Sequence, residues 1–246
     1  VLGSPGRVVM QWCAYPPLRA EQGGRCFAGR RIRLALRTHR GSWTDVCHVD
    51  AQHLGAAERI ALIGDSIAYG YGDPHGGWAR ACGAWHDARN VRVHRFFNLS
   101  IPGASLVELS RTAVREALDR RADTVVIAAG INDLIAGTVS PTGLVHIMED
   151  LCIRFEGAGV RAVVIGPTWH DENRTRVEFG VRLSTDATAA YNRALEEWAG
   201  RTCRDFVHVW DVLRDRSEVL LDGLDPSRAG HRLLTERIFP GLADRG

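Results

Sequence analysis

The chain contains no lysine: all 31 of its basic residues are arginine. So complete a bias reads as a GC-rich coding preference rather than as selection for phosphate-binding forks, and no function is built on it. Six cysteines are present (Cys13, Cys26, Cys47, Cys82, Cys152, Cys203), but none is in a C-x-x-C pair. Buried or incidental thiols are therefore expected rather than a disulfide frame or a zinc site. No pair of histidines has zinc-ligand spacing with a third ligand in view, so no metal is expected. No cofactor is expected either. A continuous apolar run able to span a bilayer is lacking, as is a signal-peptide core in the first thirty residues, so a soluble cytoplasmic protein is expected. The net charge is only +2. That small excess argues against a nucleic-acid-binding core, and the sequence leaves the oligomeric state open.

The charge is unevenly spread. Residues 1–57 hold eight arginines against Glu21, Asp45 and Asp50, a net of +5, which leaves about −3 for the remainder. This stretch mixes Gly, Pro, Arg, Trp and Cys without sustained periodicity and is read as an appendage. Three origins are open for it: a cloning remnant over Val1 to Val9, an upstream stretch translated from a start assigned too early, or a basic arm. In the last case Arg30, Arg31, Arg33, Arg37 and Arg40 would contact an acidic partner.

Residues 58–246 are patterned, and 246 residues with 45% hydrophobic content suffice for one α/β domain with a sheet covered on both faces. Short apolar runs predict strands near Ile60–Ile63, Val91–Asn98, Thr124–Ala129, Ala162–Gly166 and Phe206–Val212. Between them Leu144, Ile147, Met148, Leu151, Cys152 and Phe155 recur at helical spacing, as do Tyr191, Leu195 and Trp198. Alternating strands and helices imply a parallel sheet with right-handed crossovers, and such sheets bind ligands at the carboxyl ends of their strands.

Those ends read Gly64-Asp65-Ser66, then Asn98-Leu99-Ser100-Ile101-Pro102-Gly103, then Gly130-Ile131-Asn132-Asp133. Acyl transfer needs a nucleophile and fixed donors for the oxyanion that develops on the carbonyl. The backbone N–H groups of Ser66 and Gly103 and the Asn132 amide are candidates for those donors. Glycine at position 103 lets the backbone approach without a side chain in the way. Each turn is commonplace alone; their order and location are not.

Together with Tyr69-Gly70-Tyr71-Gly72 and Asp222-Gly223-Leu224-Asp225, these blocks resemble the SGNH, or GDSL-like, hydrolase family over residues 59–240. The resemblance implies a three-layer α/β/α sandwich around a five-stranded parallel sheet of flavodoxin-like topology. It implies Ser66 as nucleophile, Ser66, Gly103 and Asn132 as oxyanion hole, and Asp222 as the orienting carboxylate. Its closing Asp-x-x-His reads Asp-x-x-Asp here, so Asp225 stands at the histidine position.

An imidazole with pKa ~6.5 takes and returns the serine proton near neutrality, whereas an ordinary aspartate at ~3.9 is a far weaker base. In a serine protease, loss of the histidine alone costs about 10⁶-fold in kcat. Two histidines are candidate replacement bases. His170 follows the fourth strand, on a loop running to about Leu183 that is expected to form a mobile wall of the cleft. His231, which the resemblance makes an ordinary helix residue, opens the last helix. His75 ranks behind both. No cysteine precedes a helix on the active edge, which argues against a thiol nucleophile. Two readings follow: a serine hydrolase of small or short-chain esters with an altered base, or a noncatalytic descendant that binds an acyl or glycan ligand or a partner protein. Tyr69, Trp78 and Trp169 are expected near the cleft.

Overall fold

The computed structural model describes residues 8–11, 31–37, 43–50 and 57–243. The chain divides into two compact units. In the first, strands β1 (Val8–Gln11), β2 (Arg31–Arg37) and β3 (Trp43–Asp50) pair antiparallel in that order, with an irregularity between Leu34 and Ala35. The stretch read as unpatterned holds three strands, and in β2 Ile32, Leu34 and Leu36 do alternate with Arg31, Arg33, Ala35 and Arg37, a strand-like pattern confined to seven residues. Arg33 and Arg37 lie in β2; Arg30 and Arg40 are outside the described residues. Cys203 is disulfide-bonded, whereas Cys82 and Cys152 are buried thiols of the expected kind.

The second unit holds five parallel strands: β4 (Arg59–Gly64), β5 (Arg95–Asn98), β6 (Thr124–Ala128), β7 (Arg161–Ile165) and β8 (Asp205–Val207), in the order β5-β4-β6-β7-β8. The second expected strand starts late, because Val91 and Val93 lie in an exposed turn. The last ends early, as the chain leaves the sheet after Val207.

Alternation along β4 sets the layers. Ala61 and Ile63 face a core built with α3 (Leu106–Asp119), α5 (Pro141–Gly157) and α7 (Thr185–Thr202). Ile60 and Leu62 face the opposite core, which contains α1 (Ser66–Tyr69), α2 (Gly77–Arg89) and α8 (Arg228–Ala243). Successive strand side chains point to opposite faces, so a strand with apolar residues at every position must be covered on both, and a three-layer α/β/α sandwich results. The chain passes from β4 to β5 on one side and later to β6 on the other. The carboxyl end of β4 is thus the topological switch point, where open α/β sheets form their crevices. Two short helices complete the unit, α4 (Ile131–Ala136) after β6 and α6 (Glu172–Phe179) after β7.

Candidate active site

Ser66 is the first residue of α1, separated from β4 by Asp65 alone. Asp65 caps that helix, its Oδ1 accepting the Ile67 N–H at 3.0 Å. The turn is too tight for any other residue at position 64: a Cβ there would lie 2.6 Å from the Ala128 carbonyl oxygen and collide with the Ala68 side chain. Gly64 also accepts the Ile101 N–H at 2.9 Å, which sets the Gly103 loop beside the serine turn.

Gly103 has φ +79° and open space where a side chain would be, so the position demands glycine for its backbone conformation alone. Asn132 donates from Nδ2 to the Ala104 carbonyl at 2.9 Å. An amide nitrogen has two hydrogens, so one is spent holding the Gly103 loop and one is left over. Asp133, the next residue, was quoted in the sequence motif without a role. Its buried carboxylate accepts the Leu106 and Val107 N–H groups at 2.6 and 3.2 Å, capping α3 just past the same loop. Burial raises its pKa against those bonds. The signal was present in the sequence, since the first N–H groups of α3 need acceptors, but the partner lies 26 and 27 residues away. Gly130, at φ +118°, lies against Tyr191, whose hydroxyl donates to the Ala129 carbonyl at 3.1 Å.

On the last loop, Asp222 Oδ1 accepts the N–H groups of Leu224 and Asp225 at 3.0 and 2.8 Å, an Asx turn that shapes the segment carrying Asp225. The Asp225 side chain is buried and interacts with the Ser66 hydroxyl, while its Oδ1 has no hydrogen-bond partner. Burial, reinforced by the Asp222 charge, pushes the Asp225 carboxyl up to about 6, against the lowering effect of the Ser66 bond. Asp65 is pushed up to about 7, first by burial and then by the Asp225 charge. Two carboxyl groups with raised pKa values thus flank the serine.

The two histidines singled out in the sequence have other partners. His170 is fully buried, with Nε2 bonded to the Leu183 carbonyl at 3.1 Å. His231 is equally buried, with Nε2 bonded to the Tyr71 carbonyl at 2.8 Å and Nδ1 packed against Gly77. A carbonyl only accepts, so both rings carry their proton on Nε2. Nδ1 is unpartnered in each, and neither ring bonds Ser66. Burial lowers both pKa values. His75 donates its backbone N–H to Asp73 at 3.0 Å in an exposed turn.

One further expectation is refined and one corrected. The stretch after His170, expected as a mobile wall of the cleft, contains α6, capped by Asp171, and Arg174 on that helix reaches across to the carbonyls before Asp222. Trp78 is buried in the core beneath α1 rather than facing the cleft, because its apolar ring fills the space between sheet and α8. Tyr69 and Tyr71 are half-exposed on the site's surface. Among the described residues, no cluster of His, Cys, Asp or Glu is arranged to hold a metal ion, and no helix is long and apolar enough to cross a membrane.

The fold has counterparts among solved structures. Axe2, an acetylxylan esterase from Geobacillus stearothermophilus, superposes with a TM-score of 0.62 at 18% identity, covering 78% of this chain and 96% of that one. LAE5, an α/β hydrolase enzyme from the metagenome of Lake Arreo, Spain, gives 0.63 at 19% identity, covering 79% and 99%. A member of the lipolytic protein G-D-S-L family from Veillonella parvula gives 0.59 at 18% identity, covering 74% and 96%. At these identities the likeness is one of fold. No curated protein sequence matches the chain. The model of the GDSL-like lipase/acylhydrolase family matches residues 62–233, from the strand that presents Ser66 to the helix that follows Asp225. The chain belongs to the GDSL-like lipase/acylhydrolase family.

Proposed function

We propose that the protein is a serine ester hydrolase acting on small or short-chain esters, with Asp225 as the general base. The reading is carried by the buried Asp225 carboxyl, which interacts with the Ser66 hydroxyl and has an unpartnered Oδ1 and a pKa raised to about 6. Desolvation makes this aspartate a stronger base than an exposed one and brings it close to the pKa ~6.5 of an ordinary imidazole.

In the acylation half, Ser66 Oγ attacks the ester carbonyl carbon and its proton passes to Asp225. The oxyanion is met by the Ser66 and Gly103 N–H groups and by the remaining N–H of Asn132. The intermediate collapses with cleavage of the carbon–oxygen bond, and the protonated Asp225 returns the proton to the departing alcohol. Water then attacks the acyl-serine and gives a proton to Asp225. A second collapse frees the acid and restores the Ser66 hydroxyl with that proton.

The acetyl esterase activity named for Axe2 supports a short acyl group, and Tyr69 and Tyr71 offer aromatic faces on which a sugar or small alcohol can rest. Turnover of p-nitrophenyl acetate by the full chain, compared with Ser66→Ala, tests the proposal. Activity clearly above that control is expected. Rates equal to the control would overturn it in favour of a noncatalytic protein that uses the same cleft for binding.

A further inference from the structure

The turn that carries Asp222 and Asp225 belongs to no strand or helix of the sandwich, so its shape has to be imposed from elsewhere. Part of the constraint is internal: Leu221 N–H donates to the Asp225 carbonyl at 2.8 Å, and Ser227 N–H to the Val219 carbonyl at 2.8 Å. The rest comes from the first turn of α6. The Arg174 guanidinium donates from Nη1 to the carbonyls of Ser217 and Leu220, at 2.8 and 3.1 Å. Its Nη2 donates to Leu221, immediately before Asp222, at 2.5 Å.

Asp171 completes the bracket. It donates its N–H to the Gly223 carbonyl at 2.8 Å and accepts the Ser217 hydroxyl on Oδ2 at 2.6 Å. Its Oδ1 accepts the Arg174 N–H at 3.0 Å. Contact is close enough that a side chain at Gly223, where φ is +93°, would meet Thr175 N at 2.8 Å and Arg174 Cβ at 2.9 Å. Three carbonyls converging on one side chain call for a planar group with several donors in a fixed fork, which arginine has and a lysine ammonium lacks.

We infer that Arg174 is a positioning residue for Asp225: by holding three carbonyls of the segment that enters the turn, it fixes how far the Asp225 carboxylate reaches toward Ser66. The inference rests on the Ser66–Asp225 reading of the site. It makes the segment after β7, expected from the sequence as a mobile wall of the cleft, the outer support of Asp225.

Arg174→Ala and Arg174→Lys test it, measured for kcat and KM on p-nitrophenyl acetate across pH and for thermal stability. A carbon-13 NMR titration of the Asp225 carboxyl, assigned by its loss in Asp225→Asn, supplies a readout independent of turnover. In Arg174→Ala, kcat is expected to fall about 10- to 100-fold with KM within about twofold, as for a reacting group displaced by about an ångström. The Asp225 titration should move down toward the ordinary carboxylate range as the turn opens to water. Arg174→Lys should recover part of both, since an ammonium reaches some of the carbonyls. An Arg174→Ala protein with unchanged kcat and unchanged titration would overturn the inference. So would a loss of stability and activity shared equally by both variants while the Asp225 titration stays in place. If the unmodified protein turns over no ester, the proposed function fails, and the titration alone still decides the role of Arg174.

Discussion

Asp222 Oδ1 accepts the backbone N–H of Asp225 at 2.8 Å. The carboxylate that the family pattern assigns to orienting a histidine ring here shapes the turn on which the substituted residue sits. Its charge also helps to hold the Asp225 carboxyl above the usual range. The carboxyl at this position is therefore buried and has a neighbouring like charge, both of which make it a better proton acceptor than an exposed aspartate.

If Asp225 is the base, Asp225→Asn should lower kcat for p-nitrophenyl acetate by about 10²- to 10⁴-fold, the usual contribution of a positioned acid–base group. Only the ionised carboxyl accepts a proton, so the unmodified enzyme should gain activity as pH rises through about 6 and then level off. Asp225→His should raise kcat at neutral pH by an order of magnitude or more, because an imidazole places a nitrogen lone pair where the family mechanism uses one. Kinetics from pH 4.5 to 8.5 read all three. An Asp225→Asn protein that keeps the activity of the unmodified chain would shift the search for a base to the unpartnered Nδ1 of His170 or His231.

Asp65 predicts a pH dependence of stability. Its folded pKa of about 7 lies above the ordinary 3.8. The folded chain therefore holds this proton more tightly than the unfolded chain. The stabilisation is fully present below the unfolded value and is lost as pH rises through about 7. Asp65→Asn keeps an oxygen to accept the Ile67 N–H and cannot ionise. Relative to this variant, the unmodified protein should lose about 4 kcal/mol of unfolding free energy between pH 4 and 8. Urea unfolding at several pH values measures the difference; a constant gap would refute it.

The two site glycines should respond differently to alanine. At Gly103 nothing lies within reach of an added Cβ, so the cost is the backbone conformation alone, about 1–2 kcal/mol. Because relief of that strain turns away the amide proposed to meet the oxyanion, kcat should fall by about 10²-fold. At Gly130 the added carbon would also meet the Tyr191 ring and hydroxyl at 2.7 Å, adding about 1–3 kcal/mol of overpacking. Denaturant midpoints with kinetics at saturating substrate distinguish the two. Equal destabilisation at both positions would contradict the packing argument.

How much of this was readable beforehand depended on the range of the physics. β4 and β6 announced themselves because a buried parallel strand is apolar at every position, and Ile60 to Ile63 and Thr124 to Ile127 are all buried. Val91 and Val93 misled because single exposed valines carry the same letter as core ones. That Ser66, Gly103 and Asn132 follow β4, β5 and β6 was readable, because the glycine-containing segments that end those strands are encoded locally.

The amino-acid order by itself determined the run of strands and helices in the second unit, the glycine-containing segments at the strand ends, and the aspartate at position 225 where the family pattern has histidine. Only the tertiary structure decided the surroundings of that residue. The desolvation that raises Asp225, the carbonyl partners that occupy His170 and His231, and the bracket from Arg174 all join residues far apart in the chain. A guanidinium bonded to backbone carbonyls leaves no pattern in the residues it holds, and a carboxyl's pKa depends on how much water the fold leaves around it.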